Sequence, residues 1–167
     1  VIVVLEFIIQ TKNKYLDIII RQDIEMETES RRRTGIDKLR INQLSDKAFQ
    51  WYLGYLNAID IRDTKSYVDH LSDECSLQIN SDLPVNGKHE IKQQLASLWT
   101  LYEKNRHDLL NIYGTDYSFS SEIVNHFTLS DGREITINAV GYLDRNEEGL
   151  LTSVRLYGDF SPLFPKM

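Results

Sequence analysis

The sequence predicts an α+β domain in which helices come first and an antiparallel meander follows. Two observations carry that prediction. Apolar residues recur at helical spacing between residues 48 and 102, and period-two alternation takes over from residue 107 onward. Between the alternating stretches, Ser130-Asp131-Gly132 and Asn146-Glu147-Glu148-Gly149 have the composition of hairpin turns. Helices segregated from strands in this way pack on one face of a single sheet.

A chain of 167 residues with 41% hydrophobic residues is long enough for one domain with a real core. Its net charge of −6 argues against a nucleic-acid scaffold, which needs a basic surplus for phosphate contacts. The single cysteine, Cys75, excludes a disulfide framework and any paired Cys-x-x-Cys zinc site. No internal repeat or low-complexity tract interrupts the chain.

The opening VIVVLEFIIQ is apolar, but Glu6 breaks it and Lys12, Asn13 and Lys14 end it, well short of the about 20 apolar residues a membrane span needs. It lacks the basic start and small-residue cleavage site of a secretory signal. It reads as an extra strand or amphipathic helix laid on the domain. From Met26 the text becomes METESRRRTG, a polar, mixed-charge tail of the kind that precedes a domain. Residues 1–43 therefore read as an N-terminal extension, with residues 1–25 an upstream addition, and residues 44–167 as the domain. Arg31, Arg32 and Arg33 lie beside Glu25, Glu27 and Glu29, which makes them a solvated face.

Within the domain, Ser45 is an N-cap, and Leu44 with Phe49 form a hydrophobic staple across it. The helix that follows carries Ala48, Phe49, Trp51, Tyr52, Leu53, Tyr55, Leu56 and Ile59, so it must be covered on more than one side. Asp63 caps a second, short helix with Tyr67, Val68 and Leu71 inward. Residues 75–80 alternate as a strand with Leu77 and Ile79 on one face. Pro84 and Gly87 mark a loop, and residues 88–102 repeat Ile91, Leu95, Leu98, Trp99 and Tyr102 at helical spacing. Four strands are expected at residues 107–113, 117–129, 134–143 and 151–160.

The order of these elements, with several short motifs, resembles the nuclear transport factor 2-like superfamily. Its members include SnoaL-like polyketide cyclases, ketosteroid isomerases and limonene-epoxide hydrolases. The motifs are Tyr52-Leu53-x-x-Leu56-x-x-x-Asp60, Leu71-Ser72-Asp73-Glu74, Gly87-Lys88-x-x-Ile91, Asp131-Gly132 and Tyr157-x-Asp159-x-x-Pro162-Leu163, together spanning about residues 45–164. The resemblance implies a cone: a curved, mostly antiparallel sheet with about three helices packed on its concave face, enclosing a pocket and often pairing as dimers. It does not imply an activity, because one fold hosts many functions.

Residue by residue, the isomerase branch is matched by Tyr52, which occupies the place of an oxyanion-binding tyrosine. The place of its general base holds Ile79, and that of its second acid holds Gly141. The epoxide-hydrolase branch resembles the chain around Gln94–Tyr102 (QLASLWTLY) and Glu122–Asn125 (EIVN), yet its Asp-Arg-Asp set falls on Asn125, Ile123 and Leu156. Neither known set of proton-transfer groups is present.

Strand parity turns Phe119, Ile123, Asn125, Phe127 and Leu129 to one face, with Glu122 and His126 opposite. Val154 and Leu156 face inward, and Arg155, Tyr157 and Asp159 outward; Asp159 then has a structural or interfacial role. His107, placed with Leu109 and Asn111, matches a histidine at this position in SnoaL-like sequences, and imidazole titrates nearest neutrality. His70 and His89 are expected at the surface. The four histidines share no ligand spacing, so neither a metal nor another cofactor is expected.

Tyr52, His107 and Asn125 are thus the candidate catalytic residues, with Tyr55, Leu77, Ile79, Trp99, Ile123, Phe127 and Leu156 around a small, largely apolar organic ligand. One reading is an isomerase, cyclase or dehydratase. A second is a non-catalytic ligand-binding or dimerisation module, and a third is an epoxide-hydrolase-like enzyme with a different polar set. A cytoplasmic homodimer paired through the outer sheet face is expected, without nucleic-acid or membrane partners.

Overall fold

The computed structural model describes residues 40–164, with side chains from residue 43. Of the extension expected over residues 1–43, residues 1–39, with the apolar start and the arginine run, lie outside the described residues. One seven-stranded sheet runs in the order β1-β4-β5-β6-β7-β2-β3. Its strands are β1 (Arg40–Asn42), β2 (Leu71–Ile79), β3 (Val85–Asn86), β4 (Lys104–Gly114), β5 (Ser118–Thr128), β6 (Glu134–Arg145) and β7 (Leu151–Gly158). The meander β4 to β7 is antiparallel, whereas β1 joins β4 and β2 joins β7 in parallel. Register shifts in β2, β4 and between β6 and β7 bend the sheet. Its edges, β1 and β3, do not pair with each other, so it curls without closing into a barrel.

Among the described residues, three α-helices accompany the sheet. α1 (Asp46–Asp60) starts as expected, with the Ser45 hydroxyl accepting from the Ala48 backbone N–H. It buries Ala48, Phe49, Tyr52, Leu53, Tyr55, Leu56 and Ala58, more than one stripe of its surface. α2 (Thr64–Asp69) is capped by the Asp63 carboxylate. α3 (Lys88–Leu98) buries Ile91 and Leu95. The hairpin glycines Gly132 and Gly149 have φ of 82° and 84°, the left-handed backbone these turns require.

Several boundaries moved. β2 starts at Leu71, so that residue is a strand residue and not part of α2. α3 ends at Leu98, leaving Trp99 and Tyr102 beyond it, and β4 starts three residues before His107. A bulge between Leu109 and Asn111 reverses parity within β4. Asn111 therefore bonds Glu122 on the outer face and does not share the face of His107. The polar, mixed-charge composition before residue 44 did not signal that Arg40–Asn42 pairs with β4.

Candidate functional site

The concave face holds a cavity of about 60 Å³ lined by Tyr52, Tyr55, Leu56, Ile59, His107, Ile123, Asn125, Leu143, Val154, Leu156 and Phe160. All three candidate catalytic residues meet there. His107 and Asn125 are directly opposed on β4 and β5, with side chains a few ångström apart. Tyr52 reaches the cavity from α1. Of the expected ligand contacts, Tyr55, Ile123 and Leu156 line it, whereas Leu77, Ile79, Trp99 and Phe127 do not. Leu77 and Trp99 are buried in the core, Phe127 packs edge-on to Tyr102 at 4.8 Å, and Ile79, half-buried at the end of β2, pairs in register with Leu156. Alternation gives a side chain's face but not its distance along the cone, which is why these four lie away from the cavity lining.

The most informative neighbour of His107 is Asp60, whose carboxylate lies 2.6 Å from His107 Nδ1. The His107 and Asp60 side chains are only 5% and 2% exposed, so this contact is almost withdrawn from water. Asp60 also accepts from the His107 backbone N–H at 3.3 Å. With Nδ1–H donated to the carboxylate, Nε2 is the ring nitrogen left for a ligand, and it has no hydrogen-bond partner among the described residues. Asp60 closes the Tyr52-Leu53-x-x-Leu56-x-x-x-Asp60 motif and is not among the candidate site residues of the sequence. The signal was available, because Tyr52, Leu56 and Asp60 follow at i, i+4 and i+8 on one helical face. An aspartate in the last turn of a helix, where the macrodipole disfavours negative charge, also calls for a partner elsewhere.

Tyr52 is 1% exposed and its hydroxyl lies 2.5 Å from that of Ser121. Burial pushes the phenol well above its ordinary range, and the Ser121 bond pulls it only partly back. It is therefore a neutral hydrogen-bond donor at any physiological pH. Tyr55 is pushed up in the same direction, by burial first and then by Tyr67. Asn125 donates its amide weakly to the Ile137 carbonyl at 3.4 Å, which leaves its carbonyl oxygen for other contacts. Gly141 sits behind this group: a side chain there would press Ser121 Oγ and Leu156 Cδ2, both at 3.3 Å. Parity is as expected at the aliphatic positions, since Ile123 and Leu156 do face the cavity, and neither transfers protons.

The other polar residues lie elsewhere. His126 bonds Asp108 at 2.9 Å on the outer face. His89 is exposed, and His70 is half-buried against Trp51 and Tyr55, with Nδ1 at 2.6 Å from the Ser66 carbonyl. Asp159 lies past β7 and accepts from the Ser161 backbone N–H, a local structural role. Among the described residues, no cluster of three or more metal-ligating side chains occurs, and no helix is long and apolar enough to cross a membrane.

No protein-family model matches the sequence, and no curated protein sequence does. Solved structures do match. A protein assigned as a SnoaL-like polyketide cyclase from Shewanella denitrificans superposes with a TM-score of 0.63 at 16% identity, covering 70% of this chain and 93% of its own. An epoxide hydrolase of the limonene-epoxide-hydrolase-like type from Mycobacterium tuberculosis gives 0.60 at 15% identity, over 71% and 86% of the two chains. A second protein from that organism, solved in complex with estradiol-17beta-hemisuccinate, gives 0.61 at 13% identity, over 70% and 97%. At such identities the likeness is one of fold, and the chain has the nuclear transport factor 2-like, SnoaL-like cone fold.

Proposed function

We propose that this chain, with the cone fold of SnoaL-like proteins, binds a small, largely apolar molecule bearing a carbonyl or hydroxyl group and moves a proton on it. The reaction class is that of an isomerase, cyclase or dehydratase. The contact that carries this reading is His107 with Asp60, 2.6 Å apart and nearly dry in the wall of a cavity. Asp60 fixes the ring and its tautomer; Nε2 takes or gives the proton as general base or acid. The Tyr52 hydroxyl donates to the ligand oxygen while Ser121 donates to Tyr52, so charge that develops on that oxygen meets a fixed dipole in a low-dielectric site. Asn125, beside His107, orients the ligand.

The cavity's small size and its missing family acids favour one alternative, a module that binds without turnover. Exchange of acetone α-protons in deuterium oxide, followed by NMR, separates the two. The protein should accelerate exchange over buffer, and His107→Gln should lose about 10²- to 10⁴-fold of that acceleration. Acceleration absent in the parent, or unchanged in His107→Gln, would leave the binding module. A polar set of this composition does not include the Asp-Arg-Asp set of the epoxide-hydrolase branch, whose places hold Asn125, Ile123 and Leu156.

Two further parts belong to this proposal. The outer sheet face pairs two copies: Val140, Tyr142, Arg155 and Tyr157 line an open groove there, and both tyrosines are 44% exposed. Sedimentation should give a dimer that Tyr142→Lys with Tyr157→Lys dissociates. The protein works in the reducing cytoplasm, a setting consistent with its free, buried Cys75.

A further inference from the structure

We propose that Phe160 sets the size of ligand the cavity accepts and that the side-chain amide of Asn80 holds it across the mouth; this rests on the reading of the cavity as a ligand site. Tyr52, Leu56, Leu143 and Val154 form the closed end, each 2% exposed or less. Ile59, Leu156 and Phe160 are the apolar lining residues that keep partial exposure, so they form the mouth.

Phe160 is beyond the last strand and would be free to swing away were its backbone not tied down. Asn80, at the end of β2, ties it. Its amide donates to the Gly158 carbonyl at 2.8 Å and accepts from the Gly158 N–H at 3.0 Å, as one more rung of a strand ladder would. Its own backbone N–H bonds the Leu156 carbonyl at 2.7 Å. Asn80 does this from a left-handed conformation, φ 52°, a backbone that asparagine tolerates better than most residues.

Gly158 completes the arrangement. A Cβ there would meet the Asn138 carbonyl at 2.9 Å and the Phe160 ring at 3.3 Å, so the ring folds back over the glycine. Past it, the Asp159 carboxylate accepts from the Ser161 backbone N–H at 3.0 Å, at the start of the short 3₁₀ turn Ser161–Leu163, and buried Leu163 plugs the segment into the core. Phe160 is therefore fixed from both sides.

Behind the ring the cavity measures about 60 Å³. An apolar cavity of about 150 Å³ takes up benzene. With Phe160 in place the ligand is accordingly a compact ketone or alcohol of roughly four to six non-hydrogen atoms, by comparison with the volume one water needs. Fused rings are kept out.

The test is a binding series that requires no turnover. Acetone and 1-tetralone are titrated into the protein, and NMR shifts of His107 and Asn125 are read. The parent should respond to acetone and far more weakly to 1-tetralone. Phe160→Ala should raise affinity for 1-tetralone at least tenfold with little change for acetone. Asn80→Ala should act in the same direction, at least threefold. Phe160→Leu serves as the second variant should Phe160→Ala melt early. A parent that takes both ketones equally, or an unchanged preference in the folded Phe160 variants, would overturn the proposal. Failure of the proton-exchange assay with this size series intact would remove the catalytic reading alone.

Discussion

Among the described residues, two histidine–aspartate contacts lie on opposite faces of the same sheet. His107 and Asp108 follow one another on β4 and point to opposite faces. Inside, His107 meets Asp60 of α1 at 2.6 Å, with side-chain exposures of 5% and 2%. Outside, Asp108 meets His126 of β5 at 2.9 Å, with exposures of 28% and 34%, and also holds Arg106. The residue types match and the distances are close, yet the surroundings reverse their meaning. A contact in the dry wall of a cavity has few alternatives in water and fixes the ring's free nitrogen. A contact on the solvated face competes with water and salt, and contributes little.

The largest effect should come from breaking the inner contact. Asp60→Ala leaves the buried His107 ring and its backbone N–H without their acceptor, a loss of about 3 kcal/mol in urea unfolding. The milder Asp60→Asn keeps the volume but no longer enforces one tautomer. It should reduce acetone proton exchange by about 10²-fold while the melting temperature changes less. Equal losses of exchange in Asp60→Asn and in an outer-face variant would break the comparison.

Much of this difference was legible in the sequence, and the part that was not has a physical reason. Alternation put Asn125 inside and His126 outside, and it did the same for Leu156 and Arg155. Those assignments need only the two-residue repeat of a strand. Three things required coordinates. Asp60 reaches His107 across 47 residues of chain, and no local pattern encodes that contact. The bulge in β4 moved Asn111 to the outer face, and a bulge adds one residue without leaving a dependable composition mark. The cavity's size was also out of reach, since it depends on how Phe160 folds back over Gly158.

A smaller effect sharpens the inner half of the comparison. Tyr52→Phe removes one partner of a buried hydroxyl pair and leaves Ser121, 1% exposed, with its oxygen unpaired. That should cost about 1–3 kcal/mol. Ser121→Ala in the Tyr52→Phe background should recover part of it, because the stranded polar atom is gone. Additive losses in the double variant would mean that the two hydroxyls are not coupled.

A pH measurement extends the contrast to the rim. The Asp116 carboxylate accepts from the Ser45 hydroxyl at 2.6 Å and from its backbone N–H at 2.8 Å, and these bonds hold it below the ordinary 3.8. A carboxylate whose folded value is depressed adds stability that is complete above its unfolded value. That stability fades as pH falls below 3.8 through the lowered folded value. Asp116→Asn should therefore flatten the acid limb of a stability–pH curve and leave neutral-pH proton exchange untouched. A limb as steep as the parent's would assign acid sensitivity to other carboxylates.

The smallest effect belongs to the outer contact. Asp108→Ala removes the acceptor of both His126 and Arg106, but each is open to water and Thr136 still lies 3.4 Å from His126 Nδ1. The expected cost is about 0–1 kcal/mol in urea unfolding at low salt. At 1 M salt the screening length falls to about 3 Å and the difference should nearly vanish. Proton exchange should stay at the parent's rate throughout, because the side chains on this face never touch the cavity. Should Asp108→Ala instead cost as much as Asp60→Ala and resist salt, the outer face would have to be as dry as the inner one. In a paired molecule it could be, so the measurement is made on the Tyr142→Lys, Tyr157→Lys background as well, where the face is open to solvent by design.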